Sequence, residues 1–417
     1  MEAMDEQDRW RQRLRRLGRG SRRREISRRR PPVGAKGELP GELIDTPEGP
    51  VLRIQQAYPP EHRHGERPLR DLLGLTLAQV SEAVQETSLH GLVLEDLLFL
   101  DTETTGLAGG AGTLVFLVGL GRFRDGNFEL RQYFLRDPGE ERGMLQALAE
   151  ELEQAKGFVT FNGRAFDIPL LEMRFGVGMR RRWALTRWPQ LDLLYPSRRL
   201  WRRDLRDCSL ASLERNVLSV KRGEEDVPGA LIPGLYLEYL RTGEIHGMRR
   251  VIYHNAVDIL SLATLMAEVV ERASRPAVSL SAGEALGLAR WHHASGRLEA
   301  AYEAYLAALE SEDPALRLEA LRHFTTFLKR AGLREEALGG WQQWHDLAPD
   351  DPRPCIELAI YYEWHARDYD AARLWAERAL ICLSHWPQDW RREQAWEEIT
   401  HRLERLARKQ AAQSAAD

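Results

Sequence analysis

The stretch LLFLDTETTG, from Leu97 to Gly106, decides the fold of this chain. An apolar run typical of a buried strand ends in two acidic residues, Asp101 and Glu103, just before a glycine turn. Side chains alternate along a strand, so both carboxylates point to the same side. Two adjacent like charges destabilise a strand end unless a cation or a proton compensates them. The pair is therefore a candidate metal site.

Strand and helix patterns follow one another around this stretch. A β-hairpin over residues 41–58 and a helix over 72–84 precede it. After it, the pattern predicts further strands over 113–123, 128–135 and 157–161, and helices over 140–156, from 165, over 209–218 and over 249–272. Strands that come first as a meander and then alternate with helices indicate an α/β sheet covered by helices.

From residue 281 onward strand patterns stop and a weak helical repeat begins. Corresponding turns start at Gly296, Gly332 and Arg367, and an alanine follows each of them five residues later. The intervals of 36 and 35 residues are close to the ~34 residues of a tetratricopeptide helix pair. The region resembles a short tetratricopeptide array, whose grooves more often bind protein than carry out chemistry.

Composition excludes several classes of protein. The 417 residues are enough for two or three domains. No apolar run reaches the ~18 residues that span a bilayer, and the charged N-terminus lacks the apolar core of a signal peptide. Three scattered cysteines match neither a zinc site nor a disulfide framework, which favours a reducing cytoplasm.

The net charge of −4 conceals an uneven distribution. Residues 1–36 carry a local charge of +8, of which arginine supplies nearly all the positive part, and the remainder therefore carries −12. A basic arm on an acidic body is a candidate tether for nucleic acid. The alternative is a disordered, solubilising tail.

Two further acidic segments match the first. Asp167 lies in FNGRAFDIPLL, in the first turn of a predicted helix, and Asp258 lies in YHNAVDILSL, one turn after His254 on the same helical face. Singly, each has an ordinary explanation, such as a helix cap. Together with Asp101 and Glu103 they can hold two Mg²⁺ or Mn²⁺ ions, which prefer oxygen ligands. Two such ions stabilise both oxygens of a phosphodiester displacement, while His254 deprotonates the attacking water.

The order of DTETTGL, FNGRAFD and H-x-x-x-D resembles the DEDD superfamily of 3′-to-5′ exonucleases, which has a ribonuclease H-like fold. GTLVFLVGLG, QYFL and DVPGALIPGLYLEYLRTG resemble more closely a bacterial ribonuclease H-like group with C-terminal tetratricopeptide repeats. The resemblance implies that Asp101, Glu103, Asp167 and Asp258 are the metal ligands. It also implies that Asn162 and the turn from Thr104 to Leu107 contact the terminal nucleotide.

The position of the general base departs from the pattern of the superfamily. There the base is a histidine five residues before the last aspartate or a tyrosine four before it. Here His254 is four before Asp258 and Tyr253 is five before it. The residue four before shares a helical face with Asp258, which favours His254.

Residues 174–206 hold ten arginines and only two acidic residues, Asp192 and Asp204, with aromatic residues interleaved. Arginines that neutralise phosphates beside stacking rings are typical of single-strand binding grooves. The nucleic-acid contacts predicted here are Arg181, Trp183, Trp188 and Trp201. The alternative is a solvated loop whose arginines cover the tryptophans by cation–π contact.

The chain thus divides into a basic disordered arm (1–38), an N-terminal extension with a β-hairpin and a helix (39–90), a ribonuclease H-like exonuclease domain (91–275) and tetratricopeptide-like repeats (280–410). The leading hypothesis is a two-metal nuclease, by resemblance a 3′-to-5′ exonuclease on single-stranded DNA or RNA. One alternative is an inactive nucleic-acid-binding scaffold that holds protein partners through its repeats. A hydrolase of nucleotides or small phosphoesters is a third possibility.

Overall fold

The structure is a computed structural model that describes residues 38–106 and 112–414. The predicted basic arm, up to residue 37, and Leu107 lie outside the described residues. The chain forms two compact units. The first comprises the chain up to residue 198 together with 205–274, and the second comprises 199–204 together with the chain from 275 onward.

A mixed sheet of seven strands lies at the centre of the described part of the first unit. In chain order the strands are β1 (Glu42–Thr46), β2 (Gly49–Tyr58), β3 (Arg63–His64), β4 (Arg67–Pro68), β5 (Leu97–Thr104), β6 (Val115–Arg124), β7 (Asn127–Phe134), β8 (Gly157–Thr160) and β9 (Gln190–Asp192). Of these, β3 and β4 form a separate two-stranded ribbon, and the other seven form the sheet. The spatial order is β1-β2-β7-β6-β5-β8-β9. The pairs β5–β8 and β8–β9 are parallel and the rest are antiparallel. The predicted α/β class is confirmed.

Helices flank this sheet. They are α1 (Arg70–Leu73), α2 (Leu77–Val84), α3 (Glu141–Leu152), α4 (Asp167–Gly178), α5 (Leu194–Trp201), α6 (Leu210–Asn216), α7 (Ile232–Thr242) and α8 (His246–Ser274). One prediction was wrong, because the single helix expected over 72–84 is two. Thr76 interrupts it: its side chain accepts a hydrogen bond from the Gln79 N–H while the Gln79 side chain accepts one from the Thr76 N–H. This capping box starts a new helix.

The packing of α8 on the sheet depends on Gly119 in β6, the residue paired with Asp101 in β5. A Cβ at residue 119 would lie 2.2 Å from Asn255 Oδ1. Asn255 is fully buried, and its Oδ1 accepts a hydrogen bond of 2.8 Å from Gln132 Nε2. The glycine therefore gives α8 the space to approach the end of β5 that carries Asp101.

The second unit is helical in its described part. Its helices are α9 (Ala282–Ala294), α10 (Leu298–Leu309), α11 (Pro314–Ala331), α12 (Arg334–Leu347), α13 (Pro352–Tyr361), α14 (Tyr369–Ser384) and α15 (Trp390–Ser414). The predicted turn residues Gly296, Gly332 and Arg367 have φ of 75°, 82° and 54°. The alanines that follow them, Ala301, Ala337 and Ala372, are fully buried. Each repeat thus begins with a left-handed turn and places a small residue in the helix contact.

Among residues 38–106 and 112–414, no helix has both the length and the apolar character to cross a membrane.

We expect Gly119→Ala to destabilise the first unit by about 1–3 kcal/mol, the usual cost of overpacking. The added methyl must displace a fully buried, hydrogen-bonded Asn255. Denaturant unfolding of the full chain measures the change. Gly176→Ala is the matched control, since a Cβ there meets open space within α4 and replaces a helical glycine. That variant should be as stable as the wild type or up to ~1 kcal/mol more stable. Equal losses in both variants would contradict the role of Gly119.

Candidate metal centre

Asp101 and Glu103 lie on β5 with their carboxylates in a partly buried space beneath α8. Asn255 Nδ2 donates a hydrogen bond of 2.8 Å to Asp101 Oδ2. Burial, and then the charge of Asp258, raise the pKa of both carboxyls well above the usual range. Asp167 raises both values further. Burial and the neighbouring carboxylates thus penalise the ionised forms at the strand end, and the charge of Arg222 only partly offsets this at Glu103.

Asp167 is the first residue of α4, as the sequence predicted for a helix start. Its Oδ1 accepts a hydrogen bond from the Thr102 hydroxyl on β5. Burial raises the pKa of Asp167 to about 6, although the bond from Thr102 opposes the rise. Because its charge also raises the pKa values of Asp101 and Glu103, Asp167 belongs to the same group of carboxylates.

His254 and Asp258 project from α8 toward the same carboxylates. The Nε2 atom of His254 lies 3.5 Å from Asp258 Oδ2 and 4.0 Å from Glu103 Oε1. On the other side of the ring, Nδ1 lies 2.7 Å from Asp226 Oδ1. Nδ1 also lies 2.9 Å from Arg222 Nη1, so it donates to Asp226 when it carries the proton and accepts from Arg222 when Nε2 carries it. In the first tautomer the lone pair of Nε2 points at Glu103 and Asp258.

Arg222 is the positive charge inside this cluster. Its guanidinium forms an ion pair with Asp258 Oδ1 and a two-bond pair of 2.6 Å each with Glu214. It also donates to Asp226 Oδ1 over 3.3 Å and lies 2.9 Å from His254 Nδ1. Arg222 therefore holds one oxygen of Asp258, while the other oxygen faces His254.

The donor set fits a divalent cation. Ligand atoms of Glu103, His254 and Asp258 all lie within 4.8 Å of one another. Carboxylate oxygens are the ligands that Mg²⁺ and Mn²⁺ prefer, and imidazole is compatible with Mn²⁺. A bound cation would also relieve the repulsion that, after burial, raises the pKa values of Asp101 and Glu103.

The residues expected to contact a terminal nucleotide lie on two turns. Thr104 Oγ1 donates to the Gly106 carbonyl over 3.0 Å, and Leu107 lies outside the described residues. Asn162 has a φ of 63°, and its N–H donates to Asp192 Oδ1 over 2.7 Å. Asp192 thus holds the turn that leads to Asp167.

The arginine-rich segment packs largely on the body of the first unit. Arg181 lies 3.8 Å from the Trp183 ring centroid and pairs with Glu153. Trp188 stacks on Phe158 with a centroid distance of 5.3 Å. The contact between Arg181 and Trp183 is the cation–π arrangement that the alternative hypothesis described. A nucleic-acid role for Arg181, Trp183 and Trp188 stays a prediction.

Trp201 lies elsewhere and corrects the sequence hypothesis. It belongs to the second unit, is only 3% exposed, and donates its indole N–H to Glu284 over 2.8 Å. A buried ring cannot stack on a base, so Trp201 is a packing residue and not a nucleic-acid contact.

Sequence reasoning missed three residues of the centre: Arg222, Asp226 and Asn255. Asp226 opens the DVPGALIPGLYLEYLRTG stretch that already carried the family resemblance. Asn255 follows His254 directly. Arg222 stands in a charged loop, where nothing in the local pattern distinguishes it from a solvated arginine.

Comparison with known proteins agrees with this geometry. A model of the RNase_H superfamily matches residues 98–270, the segment that holds the four carboxylates of the candidate metal centre. The chain is also 31% identical over 365 residues to "Uncharacterized protein YprB" of Bacillus subtilis (strain 168), and the match covers 84% of each protein. The chain belongs to the RNase_H superfamily. RNase_H proteins are typically hydrolytic nucleases and usually use divalent metals.

The RNase_H centre should destabilise its own unit when it is metal-free and ionised. A carboxyl whose folded pKa is raised stabilises the fold below its unfolded pKa and loses that contribution as pH rises through the folded pKa. For Asp167 this window runs from about 4 to about 6, and two pKa units correspond to about 3 kcal/mol. Asp101→Asn removes one charge, so in EDTA at pH 8 it should raise the Tm by a few degrees.

The gain should shrink at pH 5, where the wild-type carboxyls hold protons, and on addition of Mn²⁺. Asp192→Asn is the control, because Asp192 accepts backbone hydrogen bonds from Asn162, Arg164 and Leu194. That variant should lower the Tm at both pH values. A loss of stability in Asp101→Asn at pH 8 would show that the carboxylates are compensated in another way.

Proposed function

We propose that this chain is a metal-dependent nuclease that hydrolyses phosphodiester bonds of nucleic acid. In this proposal Asp101, Glu103, Asp167 and Asp258 hold two Mg²⁺ or Mn²⁺ ions. The ions, when bound, polarise the scissile phosphate and stabilise the attacking and leaving oxygens. The single observation that supports the proposal most strongly is the convergence of the ligand atoms of Glu103, His254 and Asp258, all within 4.8 Å of one another, inside the RNase_H domain.

The negative charge of the four carboxylates explains why this site would need a cation to bind its substrate. A phosphodiester is an anion, and the carboxylates at the end of β5 repel it. Cations held by these carboxylates would neutralise that repulsion and would supply positive charge where the transition state becomes more negative. The same carboxylates would therefore bind the metal and make binding of the scissile phosphate depend on it.

His254 is the proposed general base. The contact between its Nδ1 and Asp226 supports this role, because the carboxylate orients the ring and stabilises the imidazolium that forms. The proton of the attacking water would move to Nε2, the atom that faces Glu103 and Asp258. Tyr253, at the position five before Asp258, lines a separate cavity and is not the proposed base.

The substrate proposed is a single strand of DNA or RNA, cut from its 3′ end. Polarity rests on the resemblance to the DEDD exonucleases. Asn162 and Thr104 are proposed to contact the terminal nucleotide, since their turns adjoin Asp167 and Glu103 respectively. The helical pairs of the second unit are proposed to hold a protein partner, and the low cysteine usage favours action in a reducing cytoplasm.

A binding protein without cleavage is the second candidate, and one observation favours it. The Arg222 guanidinium already pairs with Asp258, so an internal cation compensates part of the charge that a metal would neutralise. Such a protein would bind nucleic acid with a strong salt dependence and would not cleave it in the presence of any divalent metal.

We expect the full chain to degrade end-labelled single-stranded DNA or RNA in Mg²⁺ or Mn²⁺ but not in EDTA, with stepwise products if it acts from an end. Asp101→Asn should abolish the ladder while leaving the fold intact, because the isosteric amide keeps its contact with Asn255 but loses the ligand charge. Asp125→Asn, in the exposed turn between β6 and β7, is the matched control and should cleave normally. Strand binding without cleavage in every metal would favour the second candidate.

We expect His254→Ala to reduce kcat by about 10²–10⁴, the usual contribution of a general base. Asp226→Asn should reduce kcat less and leave the affinity for Mn²⁺ unchanged, because Asp226 acts through the imidazole. Single-turnover rates and Mn²⁺ titration separate the two effects. If His254→Ala loses Mn²⁺ affinity and Asp226→Asn retains the full rate, His254 is a metal ligand and not the base.

A further inference from the structure

The first unit also contains a cavity that lies outside the metal centre. It has a volume of about 530 Å³ and is bordered by the end of β2, the β3–β4 ribbon, the loop before Arg222 and one face of α8. None of the four carboxylates of the metal centre lines it. Its volume falls within the range of small-molecule sites.

Positive charge surrounds the mouth of this cavity. Arg63, Lys221 and Arg249 line it and are exposed. Within residues 38–106 and 112–414, none of the three forms an ion pair with a carboxylate. The hydrogen bonds of the two arginines go to the backbone carbonyls of Glu66 and Glu38. The charge of the three is thus available to an anion.

Aromatic and apolar side chains form part of the cavity lining. The rings of Tyr58 and His62 lie 4.6 Å apart by their centroids, and Tyr253 faces the same space. Ile252 and Leu260 on α8 form a buried floor. A flat ring can pack against these side chains while an attached phosphate reaches the cations at the mouth, which is the composition of a single-strand binding site.

Helix α8 contributes residues both to this cavity and to the metal centre. Tyr253 faces the cavity, and His254, about 100° further round the helix, faces the carboxylates. Arg222 belongs to both places, since it lines the cavity and pairs with Asp258. A strand whose end lies at the metals can therefore place another of its nucleotides beside the same helix.

We propose that this cavity is a nucleotide subsite, in which Arg63, Lys221 and Arg249 bind a strand phosphate. The attached base packs among Tyr58, His62 and Tyr253. The subsite holds a nucleotide of the strand away from the scissile bond, and it rests on the proposed function only for the identity of that strand. Without a metal, the carboxylates of the metal centre repel phosphate. Affinity for the strand in the absence of Mg²⁺ therefore comes from Arg63, Lys221 and Arg249.

Binding is measured with the full chain in EDTA, where no cleavage occurs, by fluorescence anisotropy of labelled dT and rU oligonucleotides over a series of salt concentrations. Arg63→Gln/Lys221→Gln should weaken binding at least tenfold. Each neutralised phosphate contributes about 0.7 to the slope of log K against log salt for a single strand. Since the three cations bind one phosphate, the slope should become shallower by about 0.7. Arg215→Gln, an exposed arginine of α6 outside the cavity, should change neither value.

Tyr58→Ala tests the base contact. It should weaken oligonucleotide binding severalfold without changing the salt slope, because the ring carries no charge. Inorganic phosphate and a nucleoside monophosphate, used as competitors, distinguish the sources of the anion. The monophosphate should compete better than phosphate in the wild type and no better in Tyr58→Ala.

Unchanged oligonucleotide affinity and salt slope in the double variant would overturn the subsite. Equal competition by phosphate and monophosphate in the wild type would overturn the base contact. Failure of the nuclease proposal is seen separately, as wild-type chain that binds the strand in EDTA but does not cleave it in Mg²⁺ or Mn²⁺. That result would leave the subsite intact as part of a binding protein.

Discussion

Mutual repulsion among four carboxylates at the end of β5 is the constraint on which the rest of the first unit depends. Each of three is held by a different neighbour: Asp101 by the amide of Asn255, Asp167 by the hydroxyl of Thr102, and Asp258 by Arg222. Burial raises the free energy of this arrangement, because it penalises the charged forms. The first unit is therefore destabilised locally by these buried charges, and a bound divalent cation would remove that cost.

Helix α8 connects this group of carboxylates to the sheet and to the basic cavity. One face carries Asn255 to the sheet, where Gly119 leaves room for it. The next face carries His254 and Asp258 to the carboxylates, and a third lines the basic cavity with Tyr253. Successive residues of a helix are rotated by about 100°, so residues 253–255 can serve three surfaces. Substrate chemistry and strand affinity can thus be carried by one rigid element.

Much of the fold could be predicted from periodicity and turn residues alone. The strands that alternate with helices, the helix with Asp167 in its first turn and the turns at Gly296 and Gly332 are local features, and the structure contains them. The helix predicted over 72–84 was wrong, because the capping box at Thr76 is a stronger signal than the apolar spacing on either side of it. Trp201 was assigned to a binding surface because composition does not tell an exposed ring from a buried one.

The sequence by itself determined which acidic residues end strands or begin helices, and that a strand ending in Asp101 and Glu103 requires a compensating charge. Only the tertiary structure decided which side chains supply or orient that compensation. Arg222 reaches Asp258 across 36 residues, and Asp226 reaches His254 across 28. Local spacing carries no information about contacts at such separations, because they depend on how the loop before α7 packs against α8. The carboxylates were therefore readable from the sequence, whereas the groups that hold and tune them became visible only in the folded chain.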